Sequence, residues 1–593
     1  MLVRAAKHSQ LARPVKPLCA LLGDLRADRQ LPPASTPRIV ARWACICDKP
    51  LVPPEPESPA GNPARPAPPD PASSPAATPA TPATLAAAPD VARTAGRGGL
   101  AIAAAKVSFI VFGFVQQLLL PLLIGVDGYG AVAVVFAAVS VVNNVIVATG
   151  IQGVSRAVSS AAPERAEIVF RKTLLIHVGL AMIVSAAFAA SAGLIAAFVK
   201  APHIEEPLRI SAAVVLLYGI YAPLVGALNG RRRFLEQAAF DVGYGALRTG
   251  AIAAFALVFI RLNKSGVLGV IVGFVAAAAI IVPVALGRIG TGKSGDVPAP
   301  RPLDHIAFLL PLILGQASLS LLLQTDLFLL RRFIGDAAGA GPDGVKTADE
   351  LIAVYRGAQL FAFLPYQILM SITFILFPML ARARVENDAA AIRSYTRTGI
   401  RLGLLITGLM CGAVSALAPH VLHLAFPEKI WANGGDTLRL LSLGLGAFAI
   451  LGITCAALTS LGREREAAAL TGSTVGFVAL ACKLFVPQAE LGPPMLIATA
   501  AATSCAVTCA CLIGAVRLAR VAGGFVAPLT LGRVLVALAV AVAVGSRVPW
   551  MGRVVVPVQA MLVGGIYLAI LVVLREIGKE DLNLVRRVLG MRS

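Results

Sequence analysis

Charge is scarce in this chain. Of its 593 residues only 14% are Asp, Glu, Lys or Arg and 57% are apolar, with a mean hydropathy of +0.80, whereas soluble globular proteins carry about a quarter charged residues. That balance excludes an ordinary soluble domain and points to a membrane protein. Cysteines are few and scattered, nine in all. Neither Cys45-Ile-Cys47 nor Cys505, Cys509 and Cys511 has His or carboxylate partners at zinc spacing, which argues against a disulfide framework and a metal site. Acidic residues are the scarcer sign, 31 against 52 Lys plus Arg, for a net charge of +21. The basic residues sit in short patches between apolar runs, the pattern of positive-inside loops rather than of a nucleic-acid surface. No Ser/His/Asp or Cys/His grouping falls in a loop long enough to build a catalytic site. Gly290-Thr-Gly-Lys-Ser-Gly is read as a linker rather than a phosphate loop, because no strand precedes it.

What is abundant changes along the chain. Residues 1–97 hold roughly half of the 40 prolines, in runs such as Pro63-Ala-Arg-Pro-Ala-Pro-Pro-Asp. A segment of that composition cannot offset its chain entropy by burial and is expected to be a disordered cytoplasmic tail, or to lie upstream of the true translation start. From Gly98 onward fourteen apolar stretches are long enough to cross a hydrocarbon core, including Ile306–Leu330 and Ile352–Leu380. The pattern predicts an all-α polytopic membrane protein with about fourteen transmembrane helices. Taking the N-terminus as cytoplasmic puts roughly 20 Lys and Arg in inner loops against roughly 11 in outer ones. Both termini are therefore expected in the cytoplasm. Trp431 and Trp550 fall at expected outer interfaces, and Asp581 to Arg592 has the helical spacing of an interfacial helix.

A weak internal repeat is visible. Gly226-Ala-Leu-Asn-Gly-Arg-Arg-Arg ends the fourth stretch, and Ala457-Leu-Thr-Ser-Leu-Gly-Arg-Glu-Arg ends the tenth, six helices later. An even separation keeps the orientation, so the halves are expected to be parallel repeats, the arrangement that supports rocking transporters. The expected divisions are 98–290 for an N-terminal six-helix bundle, 291–304 for a cytoplasmic linker and 305–520 for a C-terminal six-helix bundle. Residues 521–593 would add two helices and the interfacial segment.

Several segments resemble one family. Ala353-Val-Tyr-Arg-Gly-Ala-Gln-Leu-Phe-Ala-Phe-Leu-Pro-Tyr-Gln-Ile, continuing to Phe374-Ile-Leu-Phe-Pro-Met-Leu-Ala, is similar to the eighth helix of polysaccharide and O-antigen flippases. These belong to the multidrug/oligosaccharidyl-lipid/polysaccharide exporter superfamily. Ile124-Gly-Val-Asp-Gly-Tyr-Gly, Gln324-Thr-Asp-Leu-Phe-Leu-Leu and Leu574-Arg-Glu-Ile-Gly-Lys-Glu-Asp-Leu also look like that family. The resemblance implies a MATE-like fold, two six-helix bundles around a central cavity, in the cytoplasmic membrane of a bacterium. It implies a non-enzymatic transporter that turns over a polyprenyl-pyrophosphate-linked oligosaccharide by alternating access. The expected partners are that lipid-linked oligosaccharide and membrane lipids, with polysaccharide polymerase and glycosyltransferases as further candidates; no nucleic acid and no cofactor is expected, and coupling by H+ or Na+ stays open. The alternatives within the superfamily are a lipid II flippase and a multidrug or cation antiporter. A membrane glycosyltransferase or polysaccharide ligase is the rival from another class.

Ionisable residues inside membrane helices are costly, so they face a cavity or one another. If the fifth helix began after Arg248, only about 21 Å would remain, too short to cross, so Arg248 must lie within it. Asp241 is two turns earlier on the same face. A guanidinium there suits a phosphate oxygen; snorkelling or pairing within the bundle is the alternative. Lys106 is interfacial or internal according to where the first helix starts. Gln116, Gln117, Asn143, Asn144 and Gln316 lie mid-helix, where amides bind sugar hydroxyls or join helices. Asp326 and Arg356 are placed to meet near the outer ends of neighbouring helices, as an ion-coupling site or a gate clamp. His177 suits proton coupling or simple packing.

Overall fold

Backbone that crosses a bilayer must satisfy its own hydrogen bonds, and every regular element among the described residues is helical. The computed structural model describes residues 83–295 and 301–578, apart from the side chains of 83–100, 103, 371, 372, 374 and 375. Helices α1 (Ala83–Ser159), α2 (Ala166–Phe198), α3 (Glu205–Gly230), α4 (Phe234–Arg261) and α5 (Gly266–Ile289) form the first half. After the linker come α6 (Pro302–Leu322), α7 (Thr325–Ala338), α8 (Pro342–Ala362), α9 (Leu364–Val385) and α10 (Ala389–Ala416). These are followed by α11 (Ala418–Ala425), α12 (Glu428–Ser460), α13 (Glu464–Phe485), α14 (Pro493–Ala522), α15 (Pro528–Gly545) and α16 (Val556–Val573).

Twelve helices among the described residues are long and apolar enough to cross a membrane, where the sequence reading expects fourteen spans. The difference lies in two places. The first candidate, Ala104–Ser159, has 56 residues and would be about 84 Å long if straight. It is bent at Gly125, whose φ of 80° and ψ of 169° only glycine adopts readily. Residues on both sides of the bend line one cavity, so the chain folds back on itself there. The expected span Ile352–Leu380 is divided at Phe363 into α8 and α9, with Pro365 in the first turn of α9. The expected span Ile306–Leu330 is likewise divided, at Leu323 and Gln324.

The first helix also begins earlier than expected. Residues 83–97, assigned by composition to the tail, are the start of α1. Proline dominates the segment before them, but the run from Thr84 to Ala95 is rich in alanine, which favours helix over coil. The rest of the expected tail, 1–82, and the expected interfacial helix from Asp581 lie outside the described residues.

Within the first half α3 packs on α1, α2 and α5, and α4 packs on α1 and α5. In the second half α12 packs on α9, α10 and α14, and α13 packs on α14 and α6. The halves meet where α6 and α8 lie against α1. Small residues allow the closest approaches. A Cβ at Gly130 would collide with the carbonyl of Asp349 on α8, and one at Gly219 would collide with Ala181 of α2. Gly130→Ala is therefore expected to destabilise the protein by about 1–3 kcal/mol, read as a lower thermal unfolding midpoint in detergent. An unchanged midpoint would mean that the α1–α8 contact is looser than described.

Helices α15 and α16 pack on each other and on α10. Their attachment is fastened by Glu576, just past α16. Its carboxylate accepts from Arg401 Nε at 2.9 Å, Arg533 Nη1 at 3.1 Å and Thr530 Oγ1 at 3.0 Å. Burial alone would push this carboxyl up, but the hydrogen bonds from Arg401, Arg533 and Thr530 together outweigh it and hold it below its ordinary value of 4.5. A depressed folded value means the clamp is at full strength above pH 4.5 and is lost as pH falls through the folded value. Acidification below that point is expected to lower the unfolding midpoint of the wild type by more than that of Glu576→Gln. Equal acid sensitivity in the two proteins would remove Glu576 from this role.

Candidate functional site

The α1 bend, α3 and α4 give three helical faces that converge on one cavity of about 500 Å³, closed from the second half by Gln324, Arg356, Leu360 and Gln367. Helical spacing explains which side chains arrive there. On α4, Asp241, Tyr244 and Arg248 recur at intervals of three and four, and on α3 so do Tyr218, Tyr221, Ala222 and Val225. The first arm of α1 contributes Lys106, Gln116 and Gln117, and the second contributes Ser140, Asn143 and Asn144. Arg248 lies inside α4, Phe234–Arg261, as the length argument requires.

Lys106 Nζ sits 2.9 Å from Asp241 Oδ2, so the lysine is held at the cavity rather than released to the interface. The Arg248 guanidinium lies over the rings of Phe109 at 4.8 Å and Phe274 at 5.9 Å. Its Nε is buried without a hydrogen-bond partner. Arg356 Nη1 donates to Gln359 Oε1 at 3.2 Å. Neither arginine has a carboxylate within ion-pair distance among the described residues. The lining thus carries three cations, Lys106, Arg248 and Arg356, against one carboxylate, Asp241. In a site walled by low-dielectric protein such an excess attracts anions strongly.

Two expectations need correction. Asp326 and Arg356 do not form an ion pair. The Asp326 carboxylate, 3% exposed, is occupied by Tyr355 Oη at 2.7 Å, Gln359 Nε2 at 3.1 Å and the Leu327 amide at 2.8 Å, and Gln359 relays to Arg356. Gln316 does not reach the central cavity; α6 turns it into a separate cavity of about 380 Å³ among Tyr366, Thr373, Thr459, Glu464 and Thr471. His177, expected either to couple protons or simply to pack, lies outside the central cavity. Its Nδ1 lies 3.0 Å from the Thr173 carbonyl, and its ring packs edge-to-face on His305 of α6 at 5.3 Å.

Sequence reasoning missed the tyrosines. Tyr218, Tyr221 and Tyr244 pack on one another at ring separations of 5.3–6.2 Å, and Tyr218 also packs on Phe274. The signal was the three-residue step from Tyr218 to Tyr221, which puts both on the α3 face that meets the Asp241–Arg248 face of α4. Sequence reasoning also missed a charged cluster at the end of the molecule away from the linker. Arg331, fully buried, donates through Nε to Asp349 Oδ1 at 3.1 Å, while His203 Nε2 lies 2.9 Å from Asp349 Oδ2. Lys200 and Asp336 pair beside it at 3.2 Å. His203 and Lys200 belong to the first half and the other three to the second, so this cluster ties the halves together.

Residues 95–384 match the family model described as polysaccharide biosynthesis protein. No curated protein matches the sequence. Among solved structures the fold is similar to "Lipid II flippase MurJ, inward closed conformation", at TM-score 0.61 and 15% identity, covering 80% of this chain and 99% of that one. It is also similar to an inward-facing multidrug resistance MATE family transporter of the MOP superfamily, at TM-score 0.57 and 16% identity, covering 70% and 95%. These likenesses show a MATE-like fold, in keeping with the twelve candidate membrane-spanning helices among the described residues.

Proposed function

We propose that the protein is a flippase that carries a polyprenyl-pyrophosphate-linked oligosaccharide across the cytoplasmic membrane for surface polysaccharide synthesis. The observation that carries this reading is the cavity's excess of cations, with Arg248 and Arg356 free of carboxylate partners among the described residues. A pyrophosphate head group supplies the missing negative charge, and guanidinium matches its oxygens in geometry. The lipid tail would stay in the bilayer while the two halves rock about the cavity, with no covalent chemistry. Both termini are assigned to the cytoplasm on the loop charges. An antiporter of cationic drugs would need the opposite balance of charge.

Binding separates these readings. The purified protein should bind polyprenyl pyrophosphate, bind uncharged polyprenol much more weakly, and show no preference for lipophilic cations. Tight binding of lipophilic cations with none of the pyrophosphate would overturn the proposal. Imposing H+ and Na+ gradients separately on proteoliposomes identifies the coupling ion, which this reading leaves to either.

A further inference from the structure

The cavity holds more polar groups than a pyrophosphate requires. Tyr221 is 7% exposed and Gln116 is 5% exposed, yet the Tyr221 hydroxyl and Gln116 Oε1 have no hydrogen-bond partner. The buried Asn143 Oδ1 is also without one. All three residues line the cavity that holds Arg248. Buried polar atoms are normally paired, and leaving one unpaired costs stability, so these three, with Gln324 Oε1 and the Tyr244 hydroxyl also unpaired on the same lining, call for a common ligand. A phosphate has no hydrogen to give to the two amide oxygens. A ligand that serves all three must donate hydrogen bonds to Gln116 and Asn143 and accept or donate at Tyr221, which describes a ring bearing hydroxyl groups. Tyr244, packed on Tyr221 at a ring separation of 5.7 Å, holds that ring in place.

We propose that Tyr221, Asn143 and Gln116 form a sugar subsite beside Arg248, which engages the hydroxyls of the sugar attached directly to the pyrophosphate. This rests on the flippase reading and deepens it: Arg248 holds the charge common to all such lipids, while the first half of the molecule reads the adjoining sugar.

The test uses two probes, polyprenyl pyrophosphate and the same lipid carrying one N-acetylglucosamine, with binding to the full-length protein measured by native mass spectrometry. The wild type is expected to bind the sugar-bearing lipid about tenfold more tightly. Tyr221→Phe, which keeps the ring and its packing, should reduce that preference severalfold. Tyr221→Phe combined with Asn143→Leu should erase it, weakening the sugar-free lipid far less than Arg248→Gln does. Arg248→Gln should weaken both lipids by a common factor. An unfolding midpoint near that of the wild type shows that each variant is folded. A wild type without preference, or a preference that survives in the double variant, overturns the subsite and leaves the flippase reading standing if Arg248→Gln still weakens both lipids. Failure of the wild type to bind either lipid overturns the flippase reading itself.

Discussion

Arg248→Glu is expected to reduce transport of a lipid-pyrophosphate glycan by about a hundredfold or more, and Arg248→Ala by about tenfold to a hundredfold. A charge-assisted hydrogen bond is worth about 1.5–3 kcal/mol, and each 1.4 kcal/mol is a factor of ten. Reversal adds repulsion to that loss in a cavity whose remaining cations are Lys106, already paired with Asp241, and Arg356. The rate of head-group translocation in proteoliposomes reads the effect. Because the Arg248 side chain rests on Phe109 and Phe274, Arg248→Lys is the informative control: it keeps the charge but not the planar contact and should retain an intermediate rate. Equal rates for wild type and Arg248→Glu would remove Arg248 from the mechanism.

Asp349→Ala is expected to be the most damaging single change to stability. Arg331 is fully buried and Asp349 is its only carboxylate partner among the described residues, so the substitution strands a buried charge. Removing one partner of a buried pair costs about 3–5 kcal/mol, whereas replacing both by apolar residues of similar volume is often neutral. Arg331→Met with Asp349→Leu should therefore recover most of the unfolding midpoint lost by Asp349→Ala. A midpoint unaffected by Asp349→Ala would show that the pair is wetter than its geometry implies. The second carboxylate oxygen faces His203 of the first half, so Asp349→Ala should also loosen the contact between the halves at that end.

Much of the architecture was legible in the sequence because hydropathy reports directly on the bilayer. Apolar runs located the helices, and the length needed to cross placed Arg248 inside one of them. The bend at Gly125 and the breaks at Gln324 and Phe363 were not legible, since the hydropathy continues through them while the backbone does not. Which face of a helix looks into the cavity was legible only where a polar residue marked it. Asp241 and Arg248 marked α4; on α6, apolar nearly all round, nothing distinguished the face of Gln316, and it proved to point into another cavity. The tyrosines of α3 were passed over because a tyrosine in an apolar run reads as packing. Arg331 was not legible as a buried charge because its partner lies eighteen residues away, beyond any local pattern.

The central claim is that an anionic lipid head group passes through the cationic cavity between the two halves. It is tested most directly in liposomes that carry a fluorescent lipid-linked sugar in both leaflets, with a membrane-impermeant reductant outside. With the wild type, bleaching should proceed beyond the outer leaflet toward completion, and with Arg248→Glu it should stop once the outer leaflet is spent. Bleaching that stops at the outer leaflet with the wild type as well, in protein shown to be folded, would contradict the account.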